Sequence, residues 1–384
     1  MGPGGELRVL QRDHVARAGR VWSRATAILF HELTLLSARI TMNEDRFLLV
    51  KGIAGLGNRV FSALNGILYA RLTGRKLLID WSDTDYSRDG TNVFHRLFTC
   101  PSYSPTDRVP ETDSVRPGVW RGHLHEPVRL IAEHYGYNPY GIRRYLSINL
   151  SKLDYEEDLL VLVTYSEQMQ RLGRHFRGQF QELAEIPATA ILLKLLRDEL
   201  IPRPEVRDQV AQFQRSCFGP RTVGVHVRYS DYRVRFVTII RRLNALLKRV
   251  PGLRIFLSTD NIAIKHMFEE NYSDVVTTPH WYPRPGLSIH KNPDCPDPIA
   301  SAIAGLVDLY LLAECDYLVV DTSSSFAYLA SLVSRAPASN VVIVGTPGRV
   351  SRRVRGVTTR LMHTVGIFSW AFRLLPRVVP ISKL

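Results

Sequence analysis

Short apolar runs alternate with helix-period segments in two stretches of the chain, the alternation that a parallel sheet with crossover helices requires. The first stretch opens on "RFLLV" (46–50) and passes through "KGIAGLGNR" (51–59) into "VFSALNGILYARLTG". There Phe61, Leu64, Leu68 and Leu72 recur at helical spacing, and Gly74 marks a stop. "KLLID" (76–80) returns as a strand, completing a β-loop-α-β unit. Residues 81–145 are mixed and loop-rich, and helical patterning resumes over about 165–215, including "AILLKLLRDEL" (190–200).

The second stretch is more regular. Strands are predicted at "TVGVHV" (222–227), "RIFLST" (254–259), "DVVTT" (274–278), "YLVVD" (317–321) and "NVVIV" (340–344). Between them lie the amphipathic "FVTIIRRLNALLKRV" (236–250), "IAIKHMFEENY" capped by Asp260 or Asn261, "AIAGLVDLYLLAEC" (302–315) and a helix from Phe326. This order predicts a doubly wound nucleotide-binding sheet, whose ligands lie outside the carboxyl ends of the strands. His226, Arg228, Asp260, Asp321 and Ser323 to Ser325 all fall at such ends and are predicted to converge.

The pattern therefore predicts an α/β chain with an N-terminal lobe over 46–215 and a nucleotide-binding lobe over 216–345. A helical appendage over 1–45 and a basic, amphipathic tail over 346–384 flank them. With 384 residues, 45% of them hydrophobic, the chain is long enough for two such lobes. Four scattered cysteines without a C-x-x-C pair argue against a disulfide framework or zinc cage and fit a reducing, cytoplasmic compartment.

A net charge of +14 asks for an acidic partner, and its distribution narrows the choice. The tail carries eight basic residues and no acid, interleaved with Ile367, Phe368, Trp370, Phe372, Leu374 and Leu375. Such a segment either lies on an anionic bilayer, here the inner membrane surface, or packs back on the body with its arginines solvated. No nucleic-acid module is recognisable, so no nucleic-acid partner is expected. No run of 18 uncharged apolar residues suggests a membrane span.

Candidate chemistry concentrates in four places. Arg228, in "GVHVRYSD", carries a planar and permanent charge that matches diphosphate oxygens bidentately; the alternative is an internal pair with Asp231. "GIAGLGNR" sets Gly52, Gly55 and Gly57, followed by Asn58, between a strand and a helix N-terminus, either for close approach of an anion or sugar or simply for a tight turn. "TSSSF" (322–326) places hydroxyls where a helix begins, as caps or as phosphate ligands. Asp83 and Asp85 form a D-x-D, which one large class of glycosyltransferases uses to hold a divalent cation, and which is also a common turn sequence.

With these residues in view, the chain resembles the bacterial nodulation fucosyltransferase family (NodZ) and its relative, the α1,6-fucosyltransferase of N-glycan cores. The resemblance runs from about Phe47 to about Val344. It is carried by "VKGIAGLGNRVFSALNGILYARLTGRKLLIDW", "GVHVRYSD", "FLSTDN" and "DLYLLAECDYLVVDTSSSFAYLASL", with "LLKLLRDELIPRPEVRDQV" as a helical lead-in. It implies a GT-B-like arrangement of two Rossmann-type lobes facing a central cleft. It also implies inverting transfer of L-fucose from GDP-fucose to a glycan hydroxyl, without metal or other cofactor, the acceptor containing N-acetylglucosamine.

By that resemblance Arg228 would hold the donor diphosphate, with His226 and Asp231 lining the same site and Asp260 meeting the guanosine. Asp308, Ser324 and His290 match further donor positions; Gly55, Gly57, Asn58, Ser323 and Ser325 complete the expected donor set. Trp81 and Asp83 are the expected acceptor contacts. Two departures stand out. The core fucosyltransferase has a second arginine where this chain has Tyr229, and a lysine and a glutamate where it has Tyr232 and Phe236. The family's base is therefore not transferable, and Asp231 is the candidate. Alternative readings are a non-catalytic sugar-nucleotide-binding relative and a metal-dependent transferase using Asp83 and Asp85 with another donor.

Overall fold

The strands Phe47–Lys51 and Lys76–Asp80 run parallel, with Phe47 opposite Lys76 and Lys51 opposite Asp80. The helix Leu56–Thr73 is the crossover between them. It ends at Gly74, whose φ of 68° is the left-handed conformation that glycine adopts without a Cβ clash. Leu159–Leu162 and Val115–Arg116 extend the sheet on the other side, all in parallel. In this computed structural model the described residues are 46–345 apart from 84, 104–108, 137–142, 285 and 292. The appendage expected over 1–45 and the tail expected over 346–384 lie outside them.

The second sheet has five parallel strands in the order Val341–Val344, Tyr317–Asp321, Thr222–Val227, Arg254–Thr259, Val275–Val276. Its first strand in sequence is thus central. The chain winds outward through Arg254–Thr259 and Val275–Val276, then crosses to the other side of Thr222–Val227 for the last two strands. That reversal is a topological switch point, the crevice where doubly wound sheets bind nucleotides. The molecule has the α/β, GT-B type of fold, with two parallel sheets.

Two elements differ from their sequence patterns. The strand expected over 274–278 keeps only Val275–Val276, because Thr278 turns out of the ladder and its hydroxyl bonds the Asp308 carboxylate. The helix expected to start at 302 begins at Pro298. Asp297 accepts the Ala300 N–H at 2.9 Å as its cap, and the proline fills an early position that needs no N–H donor.

One apolar cluster ties the two sheets together. Leu48, Val50 and Ile67 on the side of the first sheet and Leu306, Leu312, Leu318 and Ala327 on the side of the second belong to the same buried set. Phe61 stacks on Tyr328 across it at 5.3 Å. The helix Leu56–Thr73 is therefore buried nearly all round and shows little amphipathicity. Truncating Phe61 to alanine should cost about 3–5 kcal/mol. Among the described residues no helix is long and apolar enough to cross a membrane.

Candidate active site

The C-terminal ends of the second sheet open onto a cleft of about 310 Å³, within the range of ligand pockets, roughly 300–1,000 Å³. Gly55, Gly57, His226, Arg228, Asp231, Asp260, His290, Asp308 and Ser325 line it. Most of the donor residues expected from the sequence are thus brought together, at the switch point the topology creates.

Arg228 follows the central strand Thr222–Val227, and its side chain is 20% exposed. The Asp231 carboxylate receives Nε at 3.1 Å and Nη2 at 2.8 and 3.0 Å, while Asp260 lies 3.9 Å from Nε. The internal pair with Asp231 is therefore formed, but on one edge of the guanidinium only. The Nη1 edge points the other way, and a Cβ on Gly55 would lie 3.8 Å from it. Burial opposes ionisation of Asp231, and the Arg228 charge more than offsets it, holding the carboxyl below the usual carboxylate range.

Two helix N-termini meet beside that cation. Gly55 is the N-cap of Leu56–Thr73, and Ser325 begins the helix Ser325–Val333. The first N–H groups of each helix lack helical acceptors and favour an anion. The two turns interlock: Ser325 Oγ donates to Asn58 Oδ1 at 3.0 Å, and Asn58 Nδ2 donates to the Tyr165 carbonyl at 2.5 Å. A Cβ on Gly57 would fall 2.5 Å from the Phe326 nitrogen, so only glycine allows this approach.

Burial also shifts the protonation of other groups that line the cleft. His226 stacks on Phe326 at 5.0 Å, and burial, reinforced by the Arg228 charge, pushes it down to about 3, so the ring is neutral and its Nδ1 has no partner. His290 is likewise pushed down to about 3 by burial and Arg228. On the helix Pro298–Glu314 burial raises Asp308, against the effect of His280 and the hydroxyls of Thr278 and Ser258. Asp260 is also raised by burial, although it accepts from the Tyr229 N–H at 2.7 Å and from the Ser230 hydroxyl.

No family model matches the chain. Nodulation protein Z of Azorhizobium caulinodans is 24% identical over 321 residues, covering 76% of this chain and 90% of that protein. The protein of the same name from Bradyrhizobium diazoefficiens is 22% identical over 335 residues, covering 80% and 84%. Among solved structures, NodZ alpha-1,6-fucosyltransferase soaked with GDP-fucose aligns with a TM-score of 0.53 at 20% identity, over 76% of this chain and 93% of that one. The chain is NodZ-like in sequence and fold. A mutant of Arabidopsis thaliana FUT1 in complex with GDP aligns with a TM-score of 0.50 at 18% identity, over 83% of this chain and 74% of that one.

Within this NodZ-like frame several expected residues sit elsewhere. Trp81 is 1% exposed and packs edge-on against Phe94 and Phe98, so it presents no face to a sugar. Asp83 points away from the cleft to Arg59, whose Nη2 donates to both its oxygens at 2.8 and 2.7 Å. Ser323 turns its N–H to Asp321, and Ser324 is buried with its hydroxyl unpaired; neither lines the cleft. Asn261, not Asp260, caps its helix through the Ala263 and Ile264 N–H groups. Tyr86, one of the aromatics expected to stack on a sugar ring, lines the cleft, as do Arg88, Arg129 and His280, which sequence reasoning missed. Arg88 and His280 come from irregular segments and Arg129 from the short helix Val128–His134, where neither period nor motif marks a residue as inward-facing.

Proposed function

We propose that this protein transfers L-fucose from GDP-fucose to a glycan hydroxyl, with inversion and without a divalent cation. The observation that carries the reading is the half-engaged guanidinium of Arg228, whose Nη1 edge faces the glycine turn between two helix N-termini. As the glycosidic bond breaks, negative charge grows on the β-phosphate. Arg228 and the N–H groups of the two helix starts are fixed donors for that charge in the cleft. The neutral His226 and the Asp260 and Asp308 carboxyls, which line the same cleft, are the polar groups offered to the nucleoside. The likeness to NodZ, whose structure was solved with GDP-fucose, names the donor.

Metal independence is supported by Asp83 and Asp85. Arg59 lies within 2.7 Å of Asp83 and 3.6 Å of Asp85, so the D-x-D already neutralises an internal cation. Asp231 serves as the carboxylate that orients Arg228. With its pKa held down it is a weak base, and a dissociative path with an oxocarbenium-like centre needs no strong one. An acceptor containing N-acetylglucosamine rests on the NodZ likeness, with the 81–92 segment as its wall. A cytoplasmic location agrees with four free cysteines among the described residues, and the membrane contact of the tail rests on its charge alone.

A thermal-shift screen of GDP-fucose, GDP-mannose, UDP-GlcNAc and dTDP-rhamnose, with magnesium or with EDTA, tests the donor. GDP-fucose should raise Tm most, and equally in both buffers; a preference for UDP-GlcNAc, or stabilisation only with magnesium, would overturn the reading. Tyr229 and Tyr232, in place of the core enzyme's cations, favour a second reading as a binding relative. GDP-fucose binding without turnover on chito-oligosaccharides would select it.

A further inference from the structure

Arg59 is the most deeply buried cation of the described residues, and it does not line the cleft. Its side chain is 0% exposed on the helix Leu56–Thr73. Nε donates to the Ala54 carbonyl at 2.9 Å, and Nη2 forks onto Asp83. Nη1 is buried without a partner, over Gly52, where a Cβ would lie 2.4 Å from it. A buried ion pair is seldom worth more to stability than apolar packing of the same volume. An arginine kept here with one unsatisfied nitrogen needs a reason other than stability.

That reason lies along the 83–88 turn. The Arg59 guanidinium sits 4.4 Å from the Tyr86 ring centroid, and Tyr86 stacks on His290 at 5.9 Å and 11°. Two residues on, Arg88 Nη2 crosses to the second lobe and donates to the carbonyls of Pro293 and Cys295. Asp85, Tyr86, Arg88 and His290 line the cleft, whereas Arg59 does not. One buried cation thus anchors a turn whose outer face stacks on one cleft residue and straps down the segment carrying it.

We propose that Arg59 is a positioning residue: the internal cation that holds the turn carrying Asp83, Tyr86 and Arg88, and through it His290 and the 293–295 segment, as one wall of the cleft beside Arg228. The role of that wall rests on the transferase reading; the anchoring does not.

Hydrogen exchange on the full chain separates the two. In Arg59→Ala the peptides spanning 82–90 and 286–295 should lose protection, while 222–231 keeps its own. Millimolar guanidinium chloride, which fits the vacated space, should restore it. Asp83→Asn keeps the cation but loses its fork, so the same peptides should loosen without response to guanidinium, and this variant carries the test if Arg59→Ala does not fold. With acceptor, kcat/KM should fall about 10²-fold and recover with guanidinium. Unchanged exchange in both variants, or uniform loss that includes 222–231, would overturn the anchoring. Intact anchoring in a protein that turns over no GDP-fucose would sink the transferase reading alone.

Discussion

Asp231 engages Nε and Nη2 of Arg228 and leaves Nη1 facing Gly55. A carboxylate thus fixes the guanidinium plane from behind, and the opposite edge is presented to the cleft. The geometry separates two duties that one arginine can hold together and one lysine cannot, since an ammonium has no second edge.

Arg228→Lys should therefore fold normally and lose most of its transfer activity. A charged hydrogen bond of about 1.5–3 kcal/mol corresponds to roughly 10–150-fold in affinity. Calorimetric titration with GDP, beside a circular-dichroism melt, checks it; wild-type affinity for GDP in the variant would remove Arg228 from the diphosphate.

Asp231→Asn distinguishes an orienting carboxylate from a general base. The amide still accepts one hydrogen bond but no longer pairs with the charge, so Arg228 loses its fixed plane. GDP affinity should fall about tenfold, of the order of one charged hydrogen bond, and residual turnover should keep the wild-type pH profile. Loss of kcat at unchanged GDP affinity would identify Asp231 as the base.

Much of this arrangement is legible in the sequence because it rests on regular elements. The apolar runs at 76–80, 222–227, 254–259 and 317–321 are strands at those residues, and strand ends in a doubly wound sheet converge whatever the loops do. What is not legible is where irregular chain points its side chains. Trp81 and Asp83 follow a strand end just as Arg228 does, but the buried Arg59 draws Asp83 inward and Trp81 closes the core beside Phe94. A local pattern does not encode a partner that lies 24 residues earlier on the neighbouring helix. The same holds for Arg88, whose carbonyl partners are more than 200 residues away.

Gly55 and Gly57 should respond differently to alanine. At Gly57 the new methyl meets backbone atoms of Ser325 and Phe326 at 2.6 and 2.5 Å, which cannot yield without moving the second helix. Overpacking of this kind costs about 1–3 kcal/mol, so Tm should drop measurably. At Gly55 the nearest atoms are 3.5 Å and 3.8 Å away, on His290 and Arg228, so Gly55→Ala should melt near wild type. That methyl still sits beside the free edge of Arg228, and GDP affinity should fall. Equal melting temperatures for both variants would contradict the interlocked turns.

Acid should destabilise the protein through its buried imidazoles. His226 is held at about 3 by burial and Arg228, well below the ordinary value of 6.5. Between those limits the unfolded chain binds a proton that the folded one refuses, so stability rises with pH across this window and is lost as pH falls from about 6.5 toward 3. Asp260 and Asp308, raised by burial, act in the opposite sense, because the folded state takes up their protons first. The contributions can be separated by substitution. His226→Gln keeps an accepting and a donating group but cannot ionise, so the difference in unfolding free energy between pH 7 and pH 5 should shrink in the variant. Denaturant melts at the two pH values measure it, and an unchanged difference would mean that the ring takes up its proton in the folded state as it does in the unfolded chain.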